Sequence, residues 1–302
     1  MKRKTQLIPF PMLALMWMCV PHLSARNVTD QTGRAVQVPD RPSRLVSLAP
    51  GITETLFLLG LGNQVVGVTD SCEYPPEARL KLRVGSTLSP SIEIILTLKP
   101  DLVLGSPQAN RREMVDQLAR VGIPLYGVTS QTVDGTLASI ADLGRVLGHE
   151  AAAGEVVRQL QARIDAVNRR TAGRKPPHVL FVVWYRPLMT AGTQTFLSDV
   201  IRRAGGEPVG ADLKGEWPKL SIEEALRLDP DVILFPKTQS FAPDLDEFRT
   251  LAGWRDMRAV KEGRLYFVSD TIVRASSRLV DSLEEIARIL HPDRGAMPGD
   301  AR

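Results

Sequence analysis

The sequence predicts an α/β protein built from two similar lobes with a ligand cleft between them. Two observations carry that reading. A fourteen-residue phrase occurs twice, 130 positions apart. The first copy is Ser91-Ile92-Glu93, then Leu96, Leu98, Pro100-Asp101 and Leu104. The second is Ser221-Ile222-Glu223, then Leu226, Leu228, Pro230-Asp231 and Leu234. In each, serine caps a helix, glutamate sits in the first turn, leucines form the buried stripe and Pro-Asp turns into a short apolar strand. The second observation is a long helical pattern at 149–171, whose narrow stripe is Val156, Leu160, Ile164 and Val167. At about 1.5 Å per residue it would reach roughly 34 Å, far enough to run from one lobe to the other. Matched lobes leave a cleft, and clefts between domains are where ligands are held.

The elements follow in order. Residues 28–38 alternate around Asp30 to Gly33 and read as a hairpin. Residues 44–48 are a buried strand, and 53–59 a helix closed by Gly60 and Gly62. Those glycines with Gly67 imitate a dinucleotide fingerprint. They follow a helix and precede a strand, however, the reverse of what a pyrophosphate needs. No phosphate loop or nucleophile elbow occurs. After a strand at 64–68 and the first repeat come a helix at 112–121, a strand at 124–128, a helix at 132–147 and the long helix. The second lobe opens with an apolar strand at 179–184, then a helix at 196–204, the second repeat, a loop at 236–243, a partly helical stretch at 245–254, a strand at 264–268 and a helix at 280–290. The expected divisions are therefore a leader at 1–25, a lobe at 26–148, the linking helix at 149–173, a lobe at 174–291 and a disordered tail at 292–302.

The leader has the form of a secretory signal peptide: Lys2-Arg3-Lys4, an uncharged apolar run from Leu7 to Val20, and small residues at Ser24-Ala25. The run is short for a membrane span, and Cys19 lacks the small residues before it that a lipoprotein anchor needs. Cleavage is expected after Ala25. Taking the leader's three basic residues from 38 leaves 35 against 34 acidic residues, a net +1. The pI of about 9.2 is thus partly a property of the leader, and no basic stripe suggests nucleic acid. The mature chain keeps one cysteine, Cys72, which excludes an internal disulfide. His149, His178 and His291 are scattered, which gives no support to a metal site.

Open α/β sheets bind ligands at the carboxyl edge of their strands. The edges here are 47–54, 69–74, 105–110, 184–186, 236–241 and 269–274. They carry Pro50, Tyr74, Trp184, Tyr185, Thr271 and Arg274, with Trp217 in a nearby loop and Arg278 just beyond. Trp184 could equally be core, and Trp254 reads as packing. Arg111-Arg112 at a helix start opposes the helix dipole. No carboxylate pair, nucleophile–base pair or metal cluster emerges at these edges, which favours binding over catalysis.

The whole of the mature chain resembles the periplasmic binding proteins that serve ABC importers of cobalamin and ferric siderophores. The resemblance rests on Val28-Thr-Asp30 with Gly33-Arg34, Arg44-Leu-Val-Ser-Leu-Ala-Pro50, Thr53-Glu54, Glu73-Tyr-Pro-Pro-Glu77, Val84-Gly85, Leu98-Lys-Pro-Asp-Leu-Val103 and the linking helix. It implies two Rossmann-like lobes joined by one rigid helix, a ligand held between lobes that move little, and no catalysis and no catalytic cofactor. Glu73-Tyr74-Pro75-Pro76, Trp184, Trp217-Pro218 and Arg274-Ala-Ser276 look like the cobalamin-binding branch, although Ser71, Ser106 and Thr271 stand where cobalamin binders place aromatics. The ligand implied is cobalamin, then a ferric siderophore, then haem. Pro50, Tyr74, Trp184, Trp217, Thr271 and Arg274 are carried over as ligand-binding residues. Glu93 and Glu223 match glutamates that meet arginines on the permease dimer of the importer. A monomer in the periplasm is implied. An exported α/β enzyme, or a binding domain feeding a membrane sensor, stays open as a different class.

Overall fold

The computed structural model describes residues 25–292, apart from 108, 194, 211, 239–242 and 275. The expected leader and tail lie outside these residues, save Ala25 and Pro292. The chain opens with the antiparallel hairpin β1 (Ala25–Thr29) and β2 (Ala35–Pro39). Its turn is organised by Asp30, whose side chain is fully buried. That carboxylate accepts the Thr32 and Arg34 amides at 2.9 Å each and reaches across to the Gly127 amide at 3.0 Å. The hairpin is thereby fastened to the first lobe.

The first lobe alternates strands and helices: β3 (Leu45–Ser47), α1 (Pro50–Leu58), β4 (Val65–Val68), β5 (Leu82–Arg83), α2 (Ile92–Thr97), β6 (Leu102–Gly105), α3 (Arg112–Arg120), β7 (Leu125–Gly127) and α4 (Val133–Leu147). Its parallel sheet has the order β5-β4-β3-β6-β7. The strand order reverses between β3 and β6, so the switch point lies where Pro50 and Ser106 leave the sheet. The linking helix is α5 (Glu150–Thr171), whose 22 residues span roughly 33 Å.

The second lobe comprises β8 (His178–Tyr185), β9 (Leu188–Thr190), α6 (Phe196–Arg203), β10 (Glu207–Pro208), α7 (Ile222–Leu228), β11 (Val232–Lys237), α8 (Arg258–Lys261), β12 (Leu265–Ser269) and α9 (Leu279–Leu290). The parallel order is β10-β8-β11-β12, and β9 adds antiparallel to β8. Differences from the sequence expectation are local, among them the short elements β5, β10 and α8, which it did not include. Helix α1 starts three residues early, because Pro50 at its first turn fits a helix start. Strand β9, three residues long, carries too little pattern to be read in advance. The stretch expected to be partly helical holds two 3-10 turns, Glu247–Arg249 and Trp254–Asp256.

The repeat is a repeat of structure. Ser91 and Ser221 both cap their helices. Lys99 and Asp229, 130 positions apart, both take positive φ, at 45° and 39°, to end them. Asp101 and Asp231 then tether the next strand to its neighbour. Asp101 accepts the Ser43 amide at 2.7 Å, and Asp231 accepts the His178 amide at 2.7 Å. One apolar core runs through both lobes. Ala153, Leu160, Ile164 and Val167 of α5 pack in it with α4 and α1 on one side and with α6 and α9 on the other. Separate outer layers cover the far face of each sheet.

Candidate functional site

The carboxyl edges of the two sheets hold two cavities, one on either flank of α1. The first, about 360 Å³, is walled on the first-lobe side by Pro50, Gly51 and Thr55 of α1, Ser106, the stretch 128–131, and Thr136 and Ser139 of α4. The second lobe contributes Thr195, Phe196, Glu216, Trp217 and Arg274. The second cavity, about 520 Å³, lies between the other flank of α1, Tyr74, Pro75, Glu77, α5 and the segment Ser277–Asp281. Both volumes fall in the range of small-ligand sites, roughly 300–1,000 Å³.

Local folding explains the first-lobe wall. The start of α1 has no side-chain cap; Ala49 precedes it and Pro50 opens it. Beneath it runs a chain of buried hydroxyls. Thr53 donates to Ser47 at 2.8 Å and to the Cys72 sulfur at 3.1 Å, and Thr69 lies 3.1 Å from both Cys72 and Thr87. Cys72 is therefore a member of the floor, fully buried. Asn110, also buried, fixes the β6 edge: it accepts the Ser106 amide at 2.7 Å and donates to the Thr87 carbonyl at 2.7 Å and the Leu48 carbonyl at 3.1 Å.

The second-lobe wall depends on the Trp217 loop and on the chain after β9, which the sequence did not single out. Trp217 is held over the first cavity because its loop is laced to the chain after β9. The Gly192 amide donates to the Glu216 carbonyl at 2.9 Å, and the Thr190 amide to the Pro218 carbonyl at 3.1 Å. A Cβ at Gly192 would lie 2.0 Å from the Gly215 carbonyl oxygen, so only glycine permits that approach. Gly192 and Asn110 thus act on the site from behind, and the only sequence signal for either is its place beside a strand edge.

The six expected ligand residues divide. Pro50, Trp217 and Arg274 line the first cavity. Tyr74 lines the second, with the Arg278 guanidinium 4.1 Å above its ring centroid. Trp184 is the penultimate residue of β8, is 43% exposed, and donates its indole N–H to the Arg186 carbonyl at 2.8 Å; it lines neither cavity. Thr271 is only 2% exposed, and its hydroxyl lies 2.5 Å from Ser282 and 3.1 Å from Ser269. It braces the turn before Arg274 and offers no surface to the cavities.

Glu54 of α1 lines the second cavity and faces Arg274, which lines the first. It is 3% exposed, and both carboxylate oxygens are buried without a hydrogen bond from any described residue. Arg274 and Arg278, both from the other lobe, each approach Oε1 to 3.8 Å. Burial pushes the Glu54 carboxyl above the usual carboxylate range. The Ser276 hydroxyl, Arg278 and Arg274 oppose that push and Asp270 adds to it; the Ser276 hydroxyl stays outside hydrogen-bond geometry. Arg274 is also paired with Asp270 at 2.9 Å.

Elsewhere the lobes are joined along the helices. The Val133 amide donates to Asp199 at 2.7 Å, and Arg203 pairs with Asp134 and Asp199. Arg163 of α5 pairs with Asp281 at 2.6 Å and Glu284 at 2.9 Å on α9. Glu93 and Glu223 are exposed at the starts of α2 and α7. Each helix runs antiparallel to the strands it connects, so each glutamate stands at the carboxyl edge of its own sheet. Ser221 closes its capping box with Glu224, leaving Glu223 out of it.

Known proteins share this architecture. Residues 45–271 match the family described as periplasmic binding protein. An uncharacterized ABC transporter substrate-binding lipoprotein of Bacillus subtilis is 30% identical over 275 residues, covering 88% of this chain and 86% of the relative. The crystal structure of the periplasmic vitamin B12 binding protein of Vibrio cholerae superposes with a TM-score of 0.73 at 26% identity, covering 83% and 98% of the two chains. The periplasmic heme-binding protein of Roseiflexus sp. RS-1 superposes with a TM-score of 0.74 at 29% identity, covering 82% and 98%.

Proposed function

The chain belongs to the periplasmic binding protein family, and on that premise we propose that it captures a corrinoid, cobalamin first, and delivers it to an ABC importer. It is a substrate-binding protein of the ABC-transporter class, a family of transport proteins rather than enzymes. The observation that carries the ligand reading is the first cavity. An exposed indole, Trp217, and a guanidinium, Arg274, face the open start of α1 and a wall of hydroxyls from Ser106, Thr129, Ser130, Thr136 and Ser139. A flat macrocycle suits the indole face. A rim of amides suits a guanidinium, which can only donate to amide carbonyls, and hydroxyls, which can also accept from amide N–H groups.

Within this reading Pro50, Trp217 and Arg274 contact the part of the ligand in the first cavity, and Tyr74 a part that extends into the second. Trp184 lies on the outer rim, and Thr271 acts only by holding Arg274. The lobes at 26–148 and 174–291 grip the ligand, and α5 keeps them from swinging apart. The partner is a permease dimer, whose two equivalent halves would each receive one of Glu93 and Glu223. The leader at 1–25 is removed on export, which places a soluble monomer in the periplasm.

A second reading has its own observation. Tyr74, a phenol at the second cavity with Arg278 stacked on it, is of the residue type that can ligate ferric haem, and a ferric siderophore could occupy the same space. The absorption spectrum of protein recovered from its native host separates these readings. Corrin bands support the first reading. A Soret band or an iron-chelate band replaces it with the second, and turnover on a substrate panel without any bound chromophore would overturn both.

A further inference from the structure

We propose that Glu54 is the counter-ion that sets which ligands the cleft accepts: it balances Arg274 and Arg278 while the cleft is empty, and it takes up a proton from solvent when an anionic group of the ligand, a carboxylate or phosphate, lands on those two arginines. The inference deepens the binding reading above and rests on it for the location of the ligand.

Three observations carry it. The first is position. Glu54 lines the second cavity together with Arg278, and it also faces Arg274, which opens onto the first. An anion entering either cavity meets an arginine whose partner is this same carboxylate. The second is accessibility. The Arg274 and Arg278 side chains are 25% and 27% exposed, whereas that of Glu54 is 2% exposed. The two cations are therefore far more open to a ligand than the carboxylate they share. The third is incompleteness. Both Glu54 oxygens are buried with no hydrogen bond from any described residue, and both guanidinium contacts are longer than hydrogen bonds. A buried carboxylate is kept charged by partners, and this one has only charge at a distance to hold it.

The surroundings define the charge balance. The segment before α9 brings Asp270 and Arg274, and the start of α9 brings Arg278 and Asp281. Helix α5 brings Arg163, which Asp281 and Glu284 already satisfy. The loop after β4 brings Tyr74, stacked on Arg278, and Glu77. Around Glu54 itself the cations Arg274 and Arg278 are matched by Glu54 and Asp270. A ligand carboxylate adds one negative charge to a neutral cluster. Protonation of Glu54 restores neutrality, and burial already favours its neutral form. A neutral ligand needs no such step.

Two measurements test this. In the free protein, carbon-13 NMR of glutamate-labelled samples, with Glu54→Gln assigning the resonance, follows the Glu54 carboxyl directly. It should titrate above the ordinary value of 4.5; a midpoint at or below that value overturns the proposal whatever the ligand is. Calorimetry then compares cyanocobalamin with its corrin-rim monocarboxylates, in buffers of different ionisation enthalpy. At least one monocarboxylate should bind with about one more proton taken up than cyanocobalamin, and should gain about tenfold in affinity per unit fall in pH. Glu54→Gln should remove both effects while the protein still binds. Equal proton uptake for every corrinoid, or an unchanged pH slope in Glu54→Gln, overturns the inference. If no corrinoid binds, it is the corrinoid reading that fails, and the NMR titration still decides the role of Glu54.

Discussion

The two lobes share a frame and differ in what they show the cleft. Each has a parallel sheet with one switch point, a serine-capped helix ended by a positive-φ residue, and an aspartate that ties the next strand to its neighbour. Their outer layers are unlike. The first lobe's is aliphatic, built on Val46, Leu48, Val84, Ile95, Val103 and Leu118. The second lobe's is aromatic, with Phe248 stacked among Tyr185, Phe235 and Trp254 at centroid distances of 4.6–5.5 Å. Their cleft edges differ more. The first lobe presents a helix start and hydroxyls, and the second presents an indole and two arginines. What repeats is what a parallel sheet needs in order to stand. What does not repeat is what a ligand would feel, and an asymmetric ligand requires unlike walls.

The comparison can be broken at several points. The largest effect expected is on transport. Changing Glu93 and Glu223 together to Lys reverses the charge at both matching positions, and should abolish uptake and permease association while ligand affinity stays nearly intact. Normal uptake by the double variant would remove docking as their shared role. Next is the aromatic layer. Phe248→Ala should cost about 3–5 kcal/mol in denaturant unfolding, whereas Ile95→Val in the aliphatic layer should cost about 0.5–1.5 kcal/mol. Equal losses would mean that the aromatic layer carries no special share of the second lobe's stability.

The hairpin offers a smaller test with a sign. Burial alone would raise the Asp30 carboxyl, but Thr32, the Arg34 amide and side chain and the Gly127 amide hold it below its ordinary 3.8. A depressed carboxyl stabilises the fold above its unfolded value, and that contribution is lost as pH falls through the folded value. The melting temperature should therefore drop as pH falls below about 4. Asp30→Asn should cost about 1–3 kcal/mol at neutral pH and flatten that drop. An acid limb that is unchanged in the variant would assign it to other carboxylates. Smallest is Trp217→Ala, which should weaken cyanocobalamin binding about tenfold, in line with the roughly 0.5–1.5 kcal/mol that an aromatic face adds beyond buried area. A titration matching wild type would take the indole out of the site.

Much of this was legible in advance because periodicity and capping are local. The repeat, the linking helix, the hairpin and the carboxyl-edge stretches came from patterns a few residues long. The site was legible only in part, because its contacts join residues far apart in sequence. Glu54 is one of several polar residues of the 47–54 edge until Arg274 and Arg278 are folded against it. Gly192 reads as a loop glycine until Gly215 is packed on it. Thr271 stands at a strand edge, as a ligand residue would, but the hydroxyl of Ser282 in α9 claims it from within. Trp184 fits core or cleft from its sequence position; it is exposed, and its indole N–H closes the turn between β8 and β9.

The central claim is that one ligand sits between the unlike walls, against Trp217 and Arg274. Titration of the mature protein with cyanocobalamin, followed by tryptophan emission and by melting temperature, tests it most directly. The account predicts saturable one-to-one quenching together with a rise in melting temperature. No change in either signal with cyanocobalamin, haemin or a ferric siderophore would contradict it.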